Sequence, residues 1–182
     1  MSKYLASEMC QTMNTHWGIG KDDFCYLSPK EVIEDLMNCR KVGFNLLLNI
    51  GLTASGKIPT YEYAVLQRVG DWVDMYADVI YYAKPSKVRG GKKDFVLALN
   101  DKLYLCIFGL PADGDHNVVL AGGDTIFRSF SNIDKTPKNI KWIDNNEQLE
   151  FTINAKDNFL TVKTTAFPYG TNYVVRIAEV DF

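Results

Sequence analysis

The feature that most constrains this chain is a change of hydrophobic period near Tyr82. Before it, apolar residues recur at three- and four-residue steps around one short uninterrupted apolar run, which is the pattern of helices packed on a buried parallel strand. After it, no helical spacing returns. Short alternating runs follow, separated by turn residues, which is the pattern of antiparallel strands. One chain with two such grammars holds two globular pieces, and 182 residues with 47% hydrophobic content suffice to bury a core in each.

In the first piece Ser28 stands as a helix cap, Pro29 fits the first helical position and Glu31 completes a capping box. Val32, Ile33, Leu36, Met37 and Arg40 mark one face, and Gly43 supplies a left-handed stop. The run Phe44 to Gly51, FNLLLNIG, reads as a strand covered on both faces. A second helix is expected through Tyr63, Leu66, Val69, Trp72, Val73, Tyr76 and Ile80. In the second piece Phe95 to Leu99 and Leu103 to Phe108 flank Asn100-Asp101-Lys102 as a hairpin. Further strands are expected at Val118 to Leu120, Thr125 to Phe130, Ile140 to Ile143, Leu149 to Ile153, Phe159 to Lys163 and Tyr173 to Val180, together forming an antiparallel β-sandwich. The predicted division is an α/β segment over 1–82, a solvated linker over 83–92 and the sandwich over 93–182. The linker assignment rests on Lys84, Lys87, Arg89, Lys92 and Lys93 among Gly and Pro.

A net charge of -2 provides no basic face for nucleic acid or anionic lipid. Four cysteines, Cys10, Cys25, Cys39 and Cys106, lack the close pairs of a zinc or redox site and read as free thiols. No apolar run reaches the ~18 residues of a membrane span, and the first residues lack the apolar core of a signal peptide, so the sequence as given is expected to be cytoplasmic.

Convergent polar groups occur only in the first sixty residues. Glu8, beside Met9 and Cys10, is a candidate general acid, provided that burial raises its pKa. Trp17, between His16 and Gly18, is a candidate for stacking on a sugar face, and core packing is an equal alternative. Asn49, at the C-terminal end of the expected strand, must find partners there, and such strand ends line the active sites of α/β barrels. His16 reads as structural, since His116 is too far away in sequence to make a metal pair, and Asp22 and Asp23 read as favouring the dipole of the helix that follows. The run GLTASG lacks the Lys-Ser/Thr ending of a phosphate loop, and Ser55 lacks a nucleophile frame.

Three stretches taken together resemble one family: Glu8-Met-Cys-Gln-Thr-Met-Asn-Thr-His-Trp-Gly, Tyr26-Leu-Ser-Pro-Lys-Glu, and Gly43-Phe-Asn-Leu-Leu-Leu-Asn-Ile-Gly with Thr53-Ala and Gly56-Lys-Ile-Pro59. In this order they resemble the C-terminal part of the α-L-fucosidases of glycoside hydrolase family 29. The resemblance covers residues 8–82 well and the following strands more loosely. It implies a retaining hydrolase acting on α-L-fucoside glycans without metal or cofactor. The fold it implies is the last β/α units of a (β/α)8-like barrel followed by an antiparallel β-sandwich. Glu8 matches the family's acid/base glutamate, whereas Ser7 stands where tryptophan is expected, Leu52 where proline is usual and Ser55 where an acidic residue is common. The family's aspartate nucleophile and fucose-holding residues lie upstream and have no counterpart here. The resemblance therefore implies a truncated piece, inactive alone, whose strand edges need a second fucosidase chain or self-association. The alternative reading is a carbohydrate-binding or assembly module that uses Phe127, Phe130, Trp142, Phe167 and Tyr169 of the sandwich as a platform.

Overall fold

A computed structural model of the chain describes residues 6–114 and 125–182. The expected strand Val118 to Leu120 and His116 fall outside the described residues. The chain divides into two compact units, Met1–Asp74 and Met75–Phe182. No helix among the described residues is long and apolar enough to cross a membrane.

The first unit is a β-α-β-α run: β1 (Glu8–Thr12), α1 (Pro29–Val42), β2 (Asn45–Asn49) and α2 (Thr60–Met75). α1 starts where its caps require. The Ser28 hydroxyl accepts from the Glu31 amide at 3.3 Å, and the Glu31 carboxylate accepts from the Ser28 amide at 2.7 Å. Such a cap is worth about 1 kcal/mol. Gly43 ends the helix at φ +77°, a conformation that favours glycine. Val32, Ile33, Met37 and Cys39 form the buried face.

With α1 as the crossover, β1 and β2 lie parallel, Glu8 opposite Asn45 and Thr12 opposite Asn49. The expectation that the apolar run is covered on both faces is not met. Asn45 and Leu47 are exposed while Leu46 and Leu48 are half-buried, so the pair is covered on one side only. Residues that pair directly project to the same side, so the open face carries Glu8, Cys10 and Thr12 beside Asn45, Leu47 and Asn49.

The second helix keeps its expected face through Val69 and Trp72, and Tyr76 and Ile80 beyond it are buried too, but its N-terminal turns bury Glu62 and Val65 while Tyr63 faces solvent. It also stops at Met75, and a short α3 (Ala77–Tyr82) begins beyond Tyr76.

In the second unit α3 leads into β3 (Lys84–Gly90), β4 (Phe95–Leu99), β5 (Lys102–Phe108), β6 (Thr125–Ser131), β7 (Asn139–Trp142), β8 (Glu150–Asn154), β9 (Phe159–Thr165) and β10 (Val175–Asp181). The residues read as a linker over 83–92 are largely strand β3. It pairs with β4 and β6, with Val88 in the core. Pro85, which has no N–H to donate, is tolerated because the β3–β4 register is irregular between Pro85 and Arg89. Gly90 admits the tight return into β4, since a Cβ there would lie 2.5 Å from the Asp94 carbonyl oxygen.

The strands form one antiparallel sheet in the order β7-β10-β5-β4-β3-β6-β9-β8. Inward side chains from both halves of that order, including Leu105, Ile140, Trp142, Phe130, Leu160 and Val180, share one core. A flat sheet could not bring them together, so the sheet curls on itself into a sandwich-like, nearly barrel-like form. Phe130, Trp142 and Phe167 belong to this core and present no platform to solvent.

One buried ion pair holds the curl. Arg176, without solvent exposure, donates to both Asp144 oxygens at 2.9 and 3.0 Å. It lies 4.2 Å over the Trp142 ring and donates to the Ala166 carbonyl at 3.0 Å. The Trp142 indole N–H in turn donates to Thr165 of β9 at 2.9 Å.

Candidate active site

Parallel strands joined by a helix place the segments after both strands at one end of the pair, and in such sheets ligands bind at that end. Here those segments are residues 13–27 after β1 and 50–59 after β2. Asn49, the last residue of β2, holds the first of these segments in place. The Asn49 carbonyl accepts from the Met13 amide at 2.9 Å, and the Asn49 side-chain amide donates to the Trp17 carbonyl at 2.9 Å. Two of the three sequence candidates, Trp17 and Asn49, are thus brought together. The amide serves the loop rather than open space. The indole of Trp17 is left 65% exposed.

The loop is built around short polar side chains. Asn14 is buried; its side-chain amide donates to the Gly18 carbonyl at 2.9 Å and its side-chain oxygen accepts from the His16 amide at 3.0 Å. Asp23 accepts from the Thr15 hydroxyl at 2.6 Å and amide at 3.1 Å, and from the Cys25 amide at 2.9 Å. The Thr15 hydroxyl above all, then the Cys25 amide, holds the Asp23 carboxyl below its ordinary pKa. Asp23 is therefore a staple of the loop rather than a helix-dipole partner. His16 stands 3.8 Å from the same carboxylate with its ring largely in solvent.

Gly51 of the second segment lies against Gly18 and Ile19 of the first. A Cβ on it would lie 2.8 Å from the Gly18 carbonyl carbon, so any side chain must push the Trp17–Gly18 backbone away. Beside it is a group that sequence reasoning missed. Glu62, in the first turn of α2, is wholly buried, and among the described residues no hydrogen bond of ordinary length and angle reaches either carboxyl oxygen. Burial raises its pKa, and the facing Gly51 N–H offsets part of that rise. An acid in the first turn of a helix ordinarily complements the dipole in solvent, so nothing in the sequence marked this one as internal. The run GLTASG forms a closed turn, with the Gly56 amide donating to Thr53 at 2.8 Å and the Thr53 and Ser55 hydroxyls 3.0 Å apart.

Glu8 is not gathered with the other two. It opens β1, while Thr12, four residues on, faces Asn49, so at ~3.3 Å per residue Glu8 lies about 13 Å along the same face. It is exposed rather than buried among the apolar residues beside it in sequence. What the arrangement offers is one open strand face with a carboxylate at one end. At the other end are an amide-anchored, glycine-lined loop and an exposed indole.

Residues 3–78 match the family model described as Alpha-L-fucosidase. The tissue α-L-fucosidase of Mus musculus is 33% identical over 117 residues, which are 61% of this chain and 26% of that protein. An α-L-fucosidase of Branchiostoma floridae is 29% identical over 114 residues, 59% of this chain and 25% of the relative. Among solved structures, α-L-fucosidase isoenzyme 1 from Paenibacillus thiaminolyticus superposes with a TM-score of 0.77 at 23% identity, covering 98% of this chain and 40% of the other. The structural likeness is one of fold. The chain spans about a quarter of the length of these curated relatives.

Proposed function

We infer that this chain, whose residues 3–78 match the α-L-fucosidase family model, belongs to that family and is the C-terminal, closing segment of a retaining α-L-fucosidase. In this reading β1 and β2 are the last strands of a (β/α)8-like barrel. Their open face is the one that would look into the barrel, with the residue 13–27 loop forming part of the rim where an α-L-fucoside would sit. Glu8 is the acid/base, Trp17, held at the far end of the same face about 13 Å along it, borders the glycan, and Asn49 keeps the Trp17 backbone in place. The observation that carries the reading is the composition of that open face. Glu8, Thr12, Asn45 and Asn49 stand on it around Cys10 and Leu47, whereas Leu46 and Leu48 of β2 are turned toward cover. A face with those polar groups on a parallel pair suits the inside of an active site and not packing against a helix layer.

The retaining reaction uses two carboxyl groups about 5–5.5 Å apart, one as nucleophile and one as acid then base. Only Glu8 has a family match in this sequence, so the nucleophile comes from outside it, and the open strand edges of β1 and β2 await a complementary fucosidase segment or a second copy. The test is release of phenol from an aryl α-L-fucoside. The purified 182-residue chain should be inactive, and a separate chain bearing the nucleophile half should restore turnover that Glu8→Gln removes. Turnover by the chain alone overturns the reading, as does restored turnover that ignores Glu8→Gln.

A further inference from the structure

The outer surface of the second unit carries an aromatic ring that its fold does not require. In β6 the side chains alternate, so Arg128 and Phe130 turn inward, Phe130 completely, while Phe127 points out and is 68% exposed. A single exposed aromatic is unremarkable in a soluble protein. This one, however, forms a wall of a groove of about 280 Å³ whose other lining residues are Glu150, Phe151, Thr152, Thr161 and Lys163. Strand pairing explains the arrangement. Phe127 lies opposite Lys163, and Lys163 opposite Glu150, which makes one row across three strands. Thr161 lies opposite Thr152, which places two hydroxyls in the next row of the same face.

The chemistry of the groove narrows its occupant. Lys163 and Glu150 form an ion pair at 3.1 Å, so the groove has no net charge to attract an anion or a cation. The pair still exposes both donors and acceptors beside two threonine hydroxyls, each able to give and take a hydrogen bond. A flat apolar ring bordered by neutral, two-way hydrogen-bonding groups complements a ligand with one face of C–H bonds and a rim of hydroxyls. We propose that this groove is a binding site for a neutral pyranose, a glycan subsite in the second unit separate from the strand-end site of the first. Phe127 supplies the stacking surface, Thr152 and Thr161 bond the ring hydroxyls, and the Lys163–Glu150 pair closes one end. The site goes beyond the catalytic reading and does not depend on the strand-end residues. The second unit would hold a glycan chain rather than cleave it.

The experiment is saturation-transfer NMR on the full 182-residue chain with methyl α-L-fucopyranoside and methyl β-D-galactopyranoside as probes. Amide-shift mapping accompanies it on the same samples. A single shallow subsite should bind at least one probe with a Kd of about 1–10 mM, with shifts centred on Thr152, Thr161 and Lys163. Phe127→Ala should weaken that binding roughly tenfold or more, as loss of an aromatic anchor does, and Phe127→Trp should retain it. Tyr81→Ala, which removes an exposed ring outside the groove, should leave it unchanged. Because Phe127 is exposed, its variants should keep the far-ultraviolet spectrum and melting point of the parent. Absence of saturation transfer from both sugars at about 50 mM overturns the proposal. So does binding that survives Phe127→Ala but is lost in Trp17→Ala, a result that would assign the sugar to the strand-end site.

Discussion

Replacement of Asp144 by alanine should be among the most damaging single changes in the second unit. Its partner Arg176 has no exposed surface and is held by both Asp144 oxygens at 2.9 and 3.0 Å. Charges about 4 Å apart attract by roughly 4 kcal/mol at the effective dielectric of such sites. Loss of one partner therefore leaves a buried guanidinium short of that attraction and costs about 3–5 kcal/mol. Four contacts soften the loss: the Trp142 ring at 4.2 Å, the Ala166 carbonyl at 3.0 Å, the Thr165 hydroxyl at 3.4 Å, and the partly exposed Glu147 at 3.6 Å. The expected value for Asp144→Ala is accordingly near the lower end, about 3 kcal/mol. Urea denaturation followed by circular dichroism measures it, and the double variant Asp144→Leu/Arg176→Met should recover most of the loss because no unpaired charge remains. A single-variant cost below about 1 kcal/mol, the value of an exposed ion pair, would refute the argument. It would mean that water or Glu147 replaces Asp144 without penalty.

The pH dependence of the first unit should have an optimum, because two of its acids are shifted in opposite directions. Asp23 has a folded pKa below its ordinary 3.8, so its contribution is present above that pH and is lost as pH falls through the lowered value. Glu62 has a folded pKa above its ordinary 4.5. The folded state then holds a proton that the unfolded chain releases, and stability falls as pH rises from that value through the raised one. Glu62→Gln should flatten the alkaline side of the stability profile measured by thermal melts and leave the acid side intact; an unchanged alkaline side would show that Glu62 is ionised in place. Sedimentation should find species larger than the 20.6 kDa chain at high micromolar concentration, since Leu47 is 45% exposed on an open strand face. A sharp monomer with cooperative unfolding would refute the need for a partner at that face.

Local chemistry wrote much of this structure into the sequence. The Ser28–Glu31 box, Pro29 and Gly43 bound α1 because caps are satisfied within a few residues. The hairpin β4–β5 was legible because Asn100, at φ +54°, is a residue type that tolerates that turn. The fucosidase resemblance was legible for the same reason: its residues lie in short contiguous stretches, and the family match over residues 3–78 agrees with it.

What sequence could not decide was which side of each element would be covered, and by what. FNLLLNIG reads as doubly buried, yet burial depends on neighbouring strands that a local window does not contain, and among the described strands only β1 is beside it. The basic run after Ala83 reads as solvated, yet Val88 and pairing on both sides make it the strand between β4 and β6, since backbone hydrogen bonds and one inward side chain outweigh exposed lysines. Glu62 shows the same limit in reverse. Its charge argues for solvent, but the phase of α2 turns it inward against Gly51, and the carboxyl yields by taking up its proton more readily. Residue identity determined where elements start, turn and stop, because those energies are local. Only the tertiary structure decided which faces meet, because burial is a property of residues distant in sequence.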